Sequence, residues 1–239
     1  MSNDIDGNII NLNDSNGLKR VPTCHPFDQL TPDFILNSLE ELKFLTDGRL
    51  FPLNSYENRV YQIGIENSSP IIGKFYRPNR WTKKQILEEH QFCFELAEQE
   101  LPVVAPMISK SGESLFQYKG FYFALFPRKG GYGPELDDLD NLYLLGKLLG
   151  RLHAVGAVKP FNSRHVLNSD TFGHKSSKLI SEHFIPAELK LSYDTLIKDL
   201  MQAIDEILKN SGDIKNIRVH GDCHGGNILW RDGNAHFVD

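Results

Sequence analysis

The stretch His220-Gly221-Asp222-Cys223-His224-Gly225-Gly226-Asn227-Ile228-Leu229-Trp230, with Phe237-Val238-Asp239 after it, constrains this chain more than any other. Asp222 stands in a Gly-flanked loop, where a carboxylate can face a cleft, and Asn227 follows five residues later in the same loop. The turn Arg231-Asp232-Gly233-Asn234, with Gly and Asn taking φ > 0, returns a second apolar strand over 235–238 and sets Asp239 at its end. A carboxylate within hydrogen-bond reach of a hydroxyl can accept its proton. An amide oxygen and a second carboxylate are hard ligands that suit Mg²⁺, with water and phosphate completing the shell. Phosphoryl transfer needs this set of groups. A bare D-x-x-x-x-N is common, but H-G-D-x-x-x-x-N between two apolar strands, with Asp closing the second, is far more specific. Cys223 and His224, with His220 nearby, raise a zinc site, but their spacing fits neither C-x-x-C nor H-x-x-x-H. His220 reads instead as a brace that hydrogen-bonds the loop, and Trp230 as packing beside it.

Upstream, the pattern predicts a sheet and helices. Thr31-Pro32-Asp33 starts a helix: Thr caps, Pro suits the first position and Asp favours the positive end of the dipole. Ile35, Leu39 and Leu42 mark one face of that helix, which should end by Asp47-Gly48. Strands are expected at 50–53, 60–65 and 71–76, the last two joined by the turn Asn67-Ser68-Ser69-Pro70. An amphipathic helix over 81–98 should turn Ile86, Leu87, Phe92 and Leu96 inward. Two more strands, 101–107 and 121–126, complete a five-stranded antiparallel sheet with a helix inserted after its third strand. Pro127 to Pro134 is the candidate interlobe hinge. Helices over 139–154 and 191–209 follow, separated by a poorly patterned stretch at 155–183, and a strand at 217–219 enters the Asp222 loop.

Lys74 lies inside the apolar strand Ile71-Ile72-Gly73-Lys74-Phe75-Tyr76, so it must reach solvent or a partner. In kinases such a lysine binds the α- and β-phosphates and pairs with a Glu of the next helix. Glu88 and Glu89 are both candidates. Glu89 is preferred because Phe92 at i+3 and Leu96 at i+7 place it beside the buried stripe. No G-x-G-x-x-G occurs between the first two strands; Ser55 and nearby backbone N–H groups are candidates to contact phosphates, with a plain hairpin turn as the alternative. Phe126 to Lys129 would face the adenine.

Composition narrows the setting. With a net charge of −5 and no basic run, nucleic acid is not an expected partner. No run approaches the roughly 20 apolar residues of a membrane span. Cys24, Cys93 and Cys223 form no disulfide framework, and the polar N-terminus carries no apolar signal segment, so the expected location is the cytoplasm. Residues 1–24, rich in Asn, Asp, Ser and Gly, are expected to be a disordered tail.

The sheet-helix-sheet order, the strand lysine and the His220-Gly221-Asp222 to Asn227 loop resemble the aminoglycoside phosphotransferase and choline kinase-like branch of the kinase superfamily. The segments 53–62, 74–78, 86–92 and 220–224 resemble, more narrowly, the bacterial stress response kinase A family over roughly residues 25–239. The resemblance implies an α+β, protein kinase-like two-lobe fold: an N-lobe at 25–127 and a partial, helical C-lobe at 128–239. It implies an ATP- and Mg²⁺-dependent Ser/Thr protein kinase of the stress response, a monomer when full length, acting on Ser/Thr acceptors in proteins. Asp222 would be the catalytic base, Asn227 and Asp239 the Mg²⁺ ligands, Asp239 also an active-site residue, and Ser55, Lys74 and Glu89 would serve the nucleotide. Family members continue past residue 239, so truncation and an incomplete C-lobe are expected. A small-hydroxyl kinase of the aminoglycoside, choline or homoserine type, or an inactive remnant that at most binds nucleotide, are the alternatives.

Overall fold

The computed structural model describes residues 25–239; the tail expected at 1–24, with Cys24, lies outside the described residues. Two compact units emerge. The first comprises Pro26–Arg164 with Asn216–Asp239; the second, among described residues, comprises His165–Lys215 with His25.

In the first unit, α1 (Pro32–Glu40) begins as expected, with the Thr31 hydroxyl accepting from the Phe34 N–H and Pro32 leading the helix. It ends sooner than its apolar spacing suggests. Lys43 takes φ 68 and the chain reverses, so Asp47 and Gly48 belong to the first strand instead. The strands β1 (Thr46–Leu53), β2 (Arg59–Ile65), β3 (Ile71–Phe75), β4 (Phe116–Tyr118) and β5 (Phe121–Pro127) form one antiparallel sheet in the order β1-β2-β3-β5-β4. The expected count of five holds, but its membership changes. Residues 101–107 form no strand, because Pro102 and Pro106 have no N–H to donate to a ladder. Towards strands, that segment makes a bridge from Val103 to Phe237 and the bond from Met107 N–H to Leu125 C=O, and the short β4 takes the edge.

The sheet has two apolar faces, as the alternation in its strands requires. On one, Phe75 and Phe123 stack with ring centroids 5.2 Å apart, and Ile35 and Leu39 of α1 pack over Ile63, Ile71 and Leu125. On the other lie Tyr76, Ala124 and Ile86 of α2 (Lys83–Glu98). Thr82 caps α2 in a reciprocal box with Gln85, so Trp81 stands before the helix rather than in it. Ile86, Phe92 and Leu96 are buried as read, whereas Leu87 is exposed, since it sits about a quarter-turn off the packed stripe.

Helix α3 (Leu139–Gly156) carries Leu145 and Leu148 onto the hairpin of β6 (Ile228–Arg231) and β7 (Asn234–Phe237), where Trp230 and Phe237 are buried. The hairpin turn uses Asp232 (φ 52) and Gly233 (φ 72), not Asn234, for its positive-φ pair. Residues 217–219 belong to no strand. Arg218 N–H bonds to the Gly156 C=O at 3.2 Å, so the segment is tied to the end of a helix rather than to a sheet.

In the second unit, the stretch expected to be unpatterned holds a π-helix at Ser169–His174 and α4 (Lys175–His183); α5 (Ala187–Asn210) starts earlier than expected.

Candidate active site

Antiparallel register decides where Lys74 points. It lies opposite Ala124 of β5, while its neighbour Phe75 turns to the α1 face. Its side chain, only 8% exposed, is sandwiched between two carboxylates: Glu89 Oε1 at 3.6 Å and Asp239 Oδ1 in direct hydrogen-bond contact. The Tyr76 ring lies 5.4 Å from the ammonium. Burial lowers the pKa of this lysine, but Glu89, Tyr76 and Asp239 together outweigh it and push the pKa above the ordinary value. Burial likewise opposes ionisation of Glu89 and Asp239, yet Lys74 draws both below the usual carboxylate range.

Of the two candidate glutamates, Glu89 therefore faces Lys74. Glu88 faces elsewhere, accepting the backbone N–H groups of Asn162, Ser163 and Arg164 at 2.7, 2.8 and 3.1 Å.

The Asp222 loop is held from within. Gly221 takes φ 85, which a side chain would resist. His220 Nδ1 accepts from the Asp222 N–H at 3.4 Å, which leaves Nε2 protonated to donate to the Val238 C=O at 3.2 Å. His220 thereby bridges the loop to the strand that carries Asp239. The Asn227 amide donates to the Asp222 backbone carbonyl at 2.9 Å and to its carboxylate at 3.3 Å. Both of its protons face Asp222, so its carbonyl oxygen is the atom left to meet a cation. The Asn227 backbone C=O accepts from the Val238 N–H at 3.0 Å. The Asp222 side chain is 75% exposed at the cleft.

These residues converge. Ser55, Lys74, Asp222, Asn227 and Asp239 line one cavity of about 1120 Å³, with Val60, Ile72, Val104, Phe126 and Leu229 as apolar walls and Arg128 and Lys129 also on its lining. Glu89 stands behind Lys74, away from that cavity. Ser55 is engaged with the backbone, its hydroxyl bonding to Leu53 C=O and accepting from Val60 N–H, each at 3.3 Å. It shapes the β1–β2 turn over the cavity. Asp239 and Asp222 offer carboxylate oxygens and the tethered Asn227 amide another hard oxygen, the donor type that suits Mg²⁺, while Lys74 engages the Asp239 carboxylate.

Three groups escaped the sequence reading. Arg164 pairs with Glu89 Oε2 at 2.6 Å. Arg218, 3% exposed, bonds to Glu95 at 2.7 Å and to the Val155 C=O at 3.1 Å just ahead of the Asp222 loop. His90 bridges the Tyr76 hydroxyl (3.0 Å) and Ser114 (2.8 Å) inside the sheet–α2 layer. The apolar stripe of α2 was the one signal available for His90, since His90 lies at i+4 from the buried Ile86.

A lysine neutralised by two carboxylates above a cleft, faced by an Asp-Asn loop, defines a phosphoryl-transferring class of site. Residues 50–239 match the phosphotransferase enzyme family, and the chain belongs to that family. It is 42% identical over 214 residues to stress response kinase A of Escherichia coli strain K12, covering 89% of this chain and 64% of that protein. It is 40% identical over 214 residues to the serine/threonine protein kinase RdoA of Salmonella typhimurium LT2, with the same coverage, 89% and 64%. The chain thus spans less than two thirds of the length of these curated relatives. Among solved structures, the amicoumacin kinase hAmiN in complex with AMP-PNP, Ca²⁺ and Ami has a TM-score of 0.64 at 20% identity, covering 89% of this chain and 63% of that chain. A microcompartment-associated aminopropanol kinase has a TM-score of 0.66 at 15% identity, covering 86% and 68%. Both share the kinase-like fold: an antiparallel five-stranded sheet with helices, mixed α+β. Among the described residues, no helix is long and apolar enough to cross a membrane.

Proposed function

We propose that this chain carries the nucleotide site and catalytic loop of an ATP- and Mg²⁺-dependent kinase that phosphorylates Ser and Thr hydroxyls of proteins during a stress response. The observation that carries it is the convergence of Ser55, Lys74, Asp222, Asn227 and Asp239 on one cavity, with Lys74 held by Glu89. In this reading Lys74 takes the α- and β-phosphates and the β1–β2 turn around Ser55 covers them. Glu89 keeps the ammonium in place. Asn227 and Asp239 hold Mg²⁺, which supplies neutralisation of phosphate charge when bound. Asp222 accepts the proton of the attacking hydroxyl, and its exposure at the cleft leaves it within reach of an acceptor. The names of the 40–42% identical relatives support the protein-kinase assignment. A cytoplasmic monomer, binding neither nucleic acid nor membrane, completes the proposal.

A second reading keeps the chemistry and changes the acceptor to a small alcohol or amino alcohol. The two fold relatives, an amicoumacin kinase and an aminopropanol kinase, favour it. Transfer of labelled γ-phosphate to a mixture of proteins and, in parallel, to a panel of small hydroxyl compounds separates the two. The expected result is label in protein Ser and Thr, lost by a factor of about 10²–10⁴ in Asp222→Ala. Label confined to small alcohols overturns the protein-kinase reading, and equal label in Asp222→Ala overturns the role of the loop.

A further inference from the structure

The segment from Lys159 to Arg164, which follows α3, lies along α2 and touches it on successive turns. Lys159 pairs with Glu95 at 2.6 Å. Phe161 meets Phe92 edge-on, ring centroids 5.6 Å apart. The N–H groups of Asn162, Ser163 and Arg164 all converge on the Glu88 carboxylate, and Gln85 donates back to the Ser163 C=O at 2.9 Å. Arg164 closes the strap. Its guanidinium lies 4.5 Å from the Trp81 ring centroid, donates to the Gln85 C=O at 3.3 Å and bonds to Glu89 Oε2 at 2.6 Å.

Glu89 is therefore shared. One carboxylate oxygen faces Lys74 at 3.6 Å, and the other is held more closely by Arg164. A guanidinium offers several fixed N–H donors, so it sets the rotamer of a carboxylate better than an ammonium does. We infer that Arg164 is a positioning residue for the Lys74–Glu89 pair, and that the 159–164 strap, anchored on Glu88, keeps α2 from swinging Glu89 away from the cleft. This rests on the phosphoryl-transfer reading of the Lys74 site. In that reading Lys74 must exchange Asp239 for phosphate oxygens, and Glu89 has to stay in place while it does so. Arg164 holds it there. The pair is then set by the fold of one polypeptide rather than by an activating movement of the helix.

The test is a double-mutant cycle on the full chain between Arg164→Ala and Glu89→Ala, with Arg164→Lys and Glu88→Gln alongside. The readouts are the KM for Mg·ATP against kcat, the Kd for Mg·ATP by calorimetry, hydrogen exchange of peptide 83–98, and the thermal midpoint to confirm folding. Arg164→Ala is expected to raise KM and Kd about tenfold with the thermal midpoint nearly unchanged, and to cost less than about twofold in the Glu89→Ala background. Arg164→Lys should recover part of the loss, and Glu88→Gln should speed exchange in the first half of α2. An equal penalty with and without Glu89 overturns the inference, as does unchanged nucleotide affinity and exchange in Arg164→Ala. If Arg164→Ala does not fold, the same cycle run with Arg164→Lys decides. If the wild-type chain binds nucleotide but transfers no phosphoryl group, the functional reading falls while the Kd cycle still judges the strap. If it binds none, exchange in α2 judges it alone: faster exchange in Arg164→Ala than in wild type, with no further rise over Glu89→Ala, supports it, and wild-type exchange refutes it.

Discussion

His90 is 1% exposed, between the Tyr76 hydroxyl and Ser114, one helix position from Glu89. Burial pushes its pKa from 6.5 down to about 4, so the folded ring stays neutral at pH values where an unfolded one is charged. Between those two values the unfolded chain binds the extra proton. The stability contributed by the neutral ring is complete above the unfolded pKa and is lost as pH falls toward the folded one. Wild type should therefore lose about 2 kcal/mol from this residue between pH 7 and pH 5, and His90→Gln, which keeps a donor and an acceptor but does not titrate, should not. Urea midpoints of both proteins at the two pH values measure it. Parallel curves for the two would mean that His90 binds its proton as readily in the folded state as in the unfolded one.

At the scale of elements, the Asp222 loop is located by the end of α3. Gly156 is buried there, and an added Cβ would overlap the carbonyl oxygen of Arg218, whose N–H bonds the Gly156 C=O. Gly150, earlier in the same helix, is exposed with open space where its Cβ would go. Gly156→Ala should push residues 217–219 off the helix and loosen Arg218 from Glu95, destabilising by about 1–3 kcal/mol and lowering turnover together. Gly150→Ala should be neutral or stabilise by up to about 1 kcal/mol, since alanine is the better helix former. Thermal unfolding and turnover of the two variants decide it, and equal behaviour would refute the packing argument. The same elements explain what the sequence disclosed. Helices α2, α3 and α5 declare themselves through their periodic apolar residues, and Asp222, Asn227 and Asp239 through a short, fixed spacing. Phe116–Tyr118 is too short to leave a strand pattern, while 101–107 is apolar enough to imitate one. Arg164 and Arg218 meet their glutamates across 75 and 123 residues of chain, a distance over which charge carries no periodicity. Local chemistry was readable; the partners that hold it in place are supplied by tertiary packing.

At the scale of the whole molecule, the two units differ in how they are held together. The unit built on the sheet contains four buried apolar clusters. In the other, neither the π-helix nor α4 buries a residue, and α5, 24 residues long, buries only Met201, against which Gly173 packs. Leu189, Leu191, Leu196, Leu200 and Ile207 of α5 are exposed. Among the polar ties of this unit, His174–Asp205 at 2.8 Å and Lys175–Asp170 at 2.6 Å are exposed pairs, and an exposed ion pair such as Lys175–Asp170 adds little and is screened by salt. A helix in water gains most of its stability from packing an apolar face, and here that face is largely uncovered. Amides of α4 and α5 should therefore exchange by opening that does not require the sheet unit to unfold. Their protection should be at least about tenfold below that of α2 and α3, and should fall further in 1 M salt. Hydrogen exchange followed by peptide mass spectrometry, at two salt concentrations, makes the comparison. Equal protection in α5 and α2 would show that the α5 face is covered in solution, and protection that rises with protein concentration would identify a second copy of the chain as the cover.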